Sequence, residues 1–267
     1  MTKYALLIGI NYKGKKFALK GCINDINAIK SLINSWGFED KNIIIMTDMS
    51  KNKALIPIAF NINTQLNMFC SKLKPGDKAV IYYSGHGTRI TGKMGEKDCC
   101  LVPLDYEKVG MIKDEVIRYY MYKIPSGVNV LCGFDACNSG SVCDLKYNIY
   151  DTSYRKDITK KLRNFIAKEW QQRQIINNNS TYLETDANIV SLSGCADEQY
   201  SYELGKNGAL TTSVLRVIKQ LGTKINLDDF IQHIRGIILL WRLKQSPGLT
   251  TGKAMDLAVS LEDFIVK

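Results

Sequence analysis

Apolar positions along this chain follow two alternating rhythms. Tyr4 to Ile10, Asn42 to Met46, Lys78 to Tyr83, Val128 to Gly133 and Ala187 to Leu192 are short, densely apolar runs, the form of strands buried on both faces. Between them apolar residues recur at helical spacing, first as Ile26, Ile29, Leu32 and Ile33, then as Ile58, Ile62, Leu66, Phe69 and Leu73. Asn24-Asp25 reads as a capped start for the first helix, Gly37 as its stop, and Pro57 as the opening of the second. Pro75-Gly76-Asp77 is a turn. Further helices are predicted over Asp114 to Tyr122, over 208–221 and over 227–240, and Asp256 to Val259 reads as a final strand. Strands alternating with helices predict an α/β fold with a mostly parallel sheet covered by helices. Right-handed crossovers then align the strands, and open sheets place their sites at the carboxyl ends.

The rhythm breaks between about 147 and 186. Arg155, Lys156, Lys160, Lys161, Arg163, Lys168 and Arg173 crowd one amphipathic stretch, 157–173, and Asn177 to Ser180 follows as a polar loop. The chain therefore reads as a larger part, 1–146, a basic excursion, 147–186, and a smaller part, 187–267. At 267 residues, with 45% apolar and 23% charged residues, it can bury a substantial core. Ala5 to Ile10 is too short to span a bilayer and lacks a small-residue cleavage site, so it reads as the first strand. Eight cysteines without CxxC spacing point to reduced thiols in a cytoplasmic, intracellular setting, and no zinc cluster is expected. The net charge of +10 is spread from Lys3 to Lys267 with no nucleic-acid motif. A solvated lysine-rich surface accounts for it, and neither nucleic acid nor membrane is an expected partner.

Two strand ends carry the candidate chemistry. The run ending at Tyr83 leads into Ser84-Gly85-His86-Gly87, and the run ending at Gly133 leads into Phe134-Asp135-Ala136-Cys137-Asn138-Ser139-Gly140. A thiolate attacks acyl carbons far better than a thiol, so a nucleophilic cysteine needs a base. The chain has two histidines. His233 sits within the predicted helix 227–240, where a helix-surface role is expected, which leaves His86 for Cys137. Backbone N–H groups of Gly87 and Cys137 are candidates for holding a developing oxyanion. Spacing alone serves equally well for a core cysteine and a loop histidine that never meet.

Tyr83 to Gly87 together with Asp135 to Gly140 resembles the metacaspases, caspase-fold cysteine peptidases. The likeness extends to Ala5 to Tyr12, to Leu19 to Asp25, which matches a GCxND loop, to Leu101 to Tyr106, which matches an LxPxD segment, and to Ser191 to Gln199. It implies a three-layer α/β/α caspase-like fold, in a compact form without an N-terminal prodomain, working as a monomer. It also implies a Cys–His dyad endopeptidase, Cys137 with His86, acting on protein or peptide substrates. Asn138 departs from the family, which usually carries histidine there; a catalytically silent scaffold is the alternative that this departure raises.

The resemblance further implies cleavage after Arg or Lys, with Asp25, Ser84 and Asp135 matching the pocket that takes the basic side chain. Read without it, Asp25 is a plain helix cap and Asp135 orders a turn. Activation by calcium is implied through carboxylates matching Asp98, Asp114, Glu115 and Asp144, oxygen ligands suited to a hard cation. Glu115 stands where the family has Asp, and Lys113 sets a positive charge beside the cluster. The basic excursion offers Arg and Lys as self-cleavage sites.

Overall fold

The computed structural model describes residues 1–91, 97–137, 139–140, 142–143, 145–149, 183–196, 199 and 201–267. Asn138, Asp144 and the stretch 157–173 expected to be helical lie outside the described residues. In chain order the larger part contains β1 (Lys3–Gly9), α1 (Cys22–Ser35), β2 (Ile43–Thr47), α2 (Ala59–Lys72), β3 (Lys78–Ser84), β4 (Gly87–Thr91) and β5 (Lys97–Leu101). It continues with α3 (Tyr106–Val109), β6 (Ile112–Lys113), α4 (Asp114–Tyr122) and β7 (Asn129–Asp135). Then come β8 (Tyr147–Ile149), β9 (Asn188–Ser193), β10 (Glu203–Leu204), β11 (Asn207–Gly208), α5 (Ala209–Leu221), α6 (Leu227–Leu240) and β12 (Gly248–Thr251).

Seven strands form the main sheet in the order β2-β1-β3-β7-β9-β12-β8. The first five are parallel; β12 runs antiparallel to β9, and β8 pairs antiparallel with β12. Period-two alternation divides each central strand between two cores. Leu6 and Ile8 of β1, Ile81 and Tyr83 of β3, and Cys132 and Phe134 of β7 pack with Ile62, Leu66 and Phe69 of α2 and Ile117 and Met121 of α4. Ala5, Leu7, Val80, Tyr82 and Leu131 face the opposite way, onto α1, α5 and α6. Each fully buried Leu or Ile contributes about 1.5–3 kcal/mol. Burial on both faces explains why these strands read as near-continuous apolar runs. The result is the three-layer α/β/α arrangement expected.

Four local features differ from the sequence expectations. Helix α1 begins at Cys22 after Gly21, without a side-chain cap; Asp25 lies inside the first turn and its carboxylate turns to tertiary partners. Strand β4 and its three-stranded sheet with β5 and β6 were not foreseen, because Gly87-Thr88-Arg89-Ile90-Thr91 lacks apolar alternation. The last strand is Gly248–Thr251 instead of Asp256 to Val259, which contributes no strand. Only Leu249 of its four residues is a large apolar one, yet all four are buried between β9 and β8. Finally β8 belongs to the sheet edge, although residues 147–149 fall in the stretch expected to lie outside both parts.

Candidate active site

Strands β3 and β7 are neighbours in parallel register, and Ser84 pairs with Asp135 at their shared carboxyl end. His86 and Cys137 each lie two residues beyond that pair, so a single register brings both to one edge. The two segments touch there: a Cβ built on Gly87 would stand 2.0 Å from the Cys137 carbonyl oxygen. Only glycine permits this approach of backbone to backbone.

His86 is gripped at three points. Its N–H donates to Tyr12 Oη at 3.0 Å, and its carbonyl accepts from Tyr83 Oη at 2.8 Å and from the Val102 N–H at 3.2 Å. The imidazole lies 4.7 Å from the Tyr12 ring and 5.4 Å from the Phe17 ring, centroid to centroid. Nε2 lies 2.6 Å from the Phe17 carbonyl oxygen. A carbonyl can only accept, so Nε2 carries the proton and Nδ1 is left as the basic nitrogen. Tyr12 reaches this position through a left-handed backbone, φ 52°, at the start of the loop after β1.

Cys137 is half-buried. Its sulfur accepts the Ser201 N–H at 3.3 Å and faces the Ser201 carbonyl at 3.9 Å. Burial pushes the thiol pKa up; the Ser201 N–H pulls it back, and the nearby Asp135 charge raises it further.

Beside this pair two carboxylates are buried together. Asp25 Oδ2 accepts Ser84 Oγ at 2.7 Å, and Oδ1 accepts Asn207 Nδ2 and the Gly208 N–H, each at 2.9 Å. Asp135 Oδ1 accepts Ser201 Oγ at 2.7 Å, and Oδ2 accepts the Thr211 N–H and Oγ1, each at 2.9 Å. Burial, reinforced by the Asp135 charge, lifts the Asp25 carboxyl to about 7, and burial also raises Asp135. Neither has an ion-pair partner among the described residues. Gly208 admits both: a Cβ there would lie 2.1 Å from Asp135 Oδ2. A third carboxylate, Glu203, accepts the Lys20 and Gly21 N–H groups at 2.9 and 2.7 Å, tying the β10–β11 hairpin to the start of α1. Asp25, Ser84 and Asp135 are thus brought into one cluster, adjacent to Cys137.

Of the residues expected to hold calcium, Asp98 lies on β5, and Asp114 and Glu115 open α4. Asp98 and Asp114 are both buried, and Asp98 helps burial to raise the Asp114 pKa. Asp114 is engaged by the N–H groups of Cys99 and Glu115, both at 2.8 Å. Lys113 Nζ rests 2.6 Å from Asp98 Oδ2. Glu115 is exposed, and among the described residues no three metal-ligating side chains converge. The donor chemistry still fits a hard cation: carboxylate oxygens, with one cationic group already drawn to them.

His233, on α6, bonds its Nδ1 to the Asp229 carbonyl one turn back, at 2.8 Å. All eight cysteines are free thiols, and among the described residues no helix is long and apolar enough to cross a membrane. The partners that sequence reasoning missed are the Phe17 carbonyl, Ser201, Asn207, Gly208 and Thr211. Four of these, all but Asn207, contribute backbone groups, which no residue type announces.

A family model described as the metacaspase, peptidase C14 domain matches residues 3–146. Metacaspase-1 of Schizosaccharomyces pombe is 29% identical, over 96% of this chain and 69% of its own length. Metacaspase-1 of Mycosarcoma maydis is 28% identical, over 95% and 71%. Among solved structures, a structural-genomics protein of Geobacter sulfurreducens superposes with a TM-score of 0.66 at 23% identity, covering 97% of this chain and 96% of that one. Caspase-1 of Spodoptera frugiperda gives 0.58 at 12% identity, over 94% and 86%. These two structural likenesses speak for the caspase-like fold. The family match covers the strand ends that carry both His86 and Cys137, and on it this chain belongs to the metacaspases, cysteine-type peptidases of the C14 family.

Proposed function

We propose that this peptidase cleaves after Arg or Lys, with Cys137 as nucleophile and His86 as base and acid. The observation carrying this reading is the pair Asp25 and Asp135, buried beside the cysteine without an ion-pair partner among the described residues. Burying two carboxylates side by side is costly, and an entering guanidinium or ammonium offsets that cost while an acidic side chain adds to it.

His86 Nδ1 takes the thiol proton, and the thiolate attacks the carbonyl carbon of the residue whose basic side chain fills the pocket. Gly87 and Cys137 N–H groups stabilise the oxyanion as the C–N bond breaks. The imidazolium, steadied by the Phe17 carbonyl, returns its proton to the leaving amine. Water activated by the same nitrogen then hydrolyses the thioester and regenerates the thiol. Calcium activation acts through Asp98 and Asp114, with Glu115 and Asp144 as further ligands. The cation's role would be to order the segment that follows Cys137. Self-processing in the basic stretch 155–173 belongs to the same reading.

The test compares peptides with Arg, Lys or Asp before a reporter group, with and without millimolar-range calcium, alongside Cys137→Ala. Cleavage confined to Arg and Lys peptides, abolished in the variant by about six orders of magnitude, is expected. Equal cleavage after Asp would overturn the specificity. An unchanged rate between chelator and calcium would overturn calcium activation, and an unchanged intact mass would overturn self-processing.

A further inference from the structure

Ser201 touches both halves of the site. Its hydroxyl donates to Asp135 Oδ1 at 2.7 Å, while its N–H donates to Cys137 Sγ at 3.3 Å and its carbonyl faces that sulfur at 3.9 Å. Among the described residues, Ser201 gives the sulfur its hydrogen-bond contacts to another residue, beside the backbone of Cys137 itself, and Ser201 Oγ is the one partner of Asp135 Oδ1. The segment is pinned on either side. Gln199 Oε1 accepts the Ala196 and Ser246 N–H groups, at 3.2 and 2.7 Å. The Tyr202 N–H donates at 3.0 Å to Gln245 Oε1, whose fully buried side chain also bonds the Gly194 carbonyl.

We propose that Ser201 is a positioning residue that couples pocket occupancy to the nucleophile. This rests on the reading of Asp135 as part of the pocket for the basic side chain. With the pocket empty, the hydroxyl is anchored on Asp135 and holds the Ser201 N–H on the sulfur, turning Sγ towards residues 199–202. A guanidinium that engages Asp135 Oδ1 competes for the oxygen that anchors Ser201. Release of that anchor loosens the N–H from Sγ, and the sulfur becomes available to His86 and to the acyl carbon. A cationic side chain would then act twice, as the recognised group and as the trigger. Uncharged substrates of the same shape would meet a sulfur still held on Ser201. This adds to selectivity beyond what the two carboxylates supply by attraction.

The experiment uses agmatine, a guanidinium ligand with no scissile bond, and follows alkylation of Cys137 by iodoacetamide with peptide mass mapping. Competition of agmatine with an Arg reporter peptide is measured in parallel. Agmatine should compete and should accelerate alkylation of the parent enzyme about fivefold, the factor one net hydrogen bond is worth. Ser201→Ala should be alkylated faster without agmatine and show no further acceleration with it. Ser201→Thr, which retains the hydroxyl, should restore the response. Competition without acceleration in the parent, or an agmatine response that survives in Ser201→Ala, overturns the coupling and leaves the pocket standing. Absence of competition overturns the pocket and the coupling with it.

Discussion

Two pairs of buried aspartates, Asp25 with Asp135 and Asp98 with Asp114, are solved differently. Asp98 and Asp114 have a cation of their own, since Lys113 rests on Asp98 at 2.6 Å. Asp25 and Asp135 have hydroxyls, an amide and backbone N–H groups, but no ion-pair partner among the described residues. Dipoles satisfy lone pairs without cancelling charge, so the second pair keeps its mutual repulsion and Asp25 is lifted to about 7. A pair with a resident cation is close to settled. A pair without one holds free energy that an incoming cation can release. On the proposed reading, that difference separates a site for a basic side chain from one where an added ion must first compete with a lysine.

The hardest way to break the comparison is to remove charge from each pair in turn. Asp25→Asn should lower kcat/KM for Arg peptides by about 10²–10³-fold, as expected when one partner of a buried charge pair is lost. Asp98→Asn, measured without calcium, should change it less than about tenfold, since that pair lies outside the pocket. Equal losses in the two variants would erase the distinction.

Gly208 offers a charge-neutral route to the same pocket. Its φ of −68° suits any residue, so the only obstacle to Gly208→Ala is a methyl group 2.1 Å from Asp135 Oδ2. Overpacking of this kind costs about 1–3 kcal/mol. We expect a fall of about tenfold or more in kcat/KM for Arg peptides and a lower Tm.

Titration sharpens the comparison further. Cation binding needs an ionised Asp25, so kcat/KM should rise with pH through about 7, and Asp25→Asn should lose that limb. Stability runs the other way. The folded carboxyl, at about 7, lies above its ordinary value of 3.8, so protonation favours the folded chain. That contribution is complete below about pH 4 and lost as pH rises through 7. The Tm of Asp25→Asn relative to the parent should accordingly be more favourable at about pH 8 than at about pH 4. A pH-independent difference would mean that Asp25 does not titrate there.

The smallest effect is expected at Lys113. Its side chain is 41% exposed, so solvent screens the bond to Asp98 and leaves it weak. Lys113→Ala should tighten calcium binding by about fivefold or less, read by terbium luminescence with calcium competition. Unaltered binding would show that the lysine is no competitor.

Most of the scaffold was legible because its determinants are local or periodic. Buried parallel strands leave dense apolar runs, helices leave a 3.6-residue repeat, and α6 spans the expected 227–240. Where the physics is non-local, reading from sequence falters. Strand β12 has one large apolar residue among four and becomes a strand because β9 and β8 flank it. The site divides along the same line. His86 and Cys137 could be picked out because the segments around them resemble metacaspase motifs; their places at strand ends alone leave a core cysteine and a loop histidine equally open. Ser201, Asn207, Gly208 and Thr211 could not, because they act from about 64 to 183 residues away through backbone groups and common hydroxyls.

By itself, the sequence determined the layers of the fold, the two strand ends and the residue types available for chemistry, because patterning and covalent order dictate these directly. The tertiary structure alone decided that Asp25 is a buried carboxylate held by Ser84, Asn207 and Gly208 and not a cap. It also decided that the Phe17 carbonyl selects the tautomer of His86, and that Ser201 bridges nucleophile and pocket. Each depends on which distant groups share a low-dielectric space, and desolvation and hydrogen bonding act on neighbours in space, whatever their order in the chain.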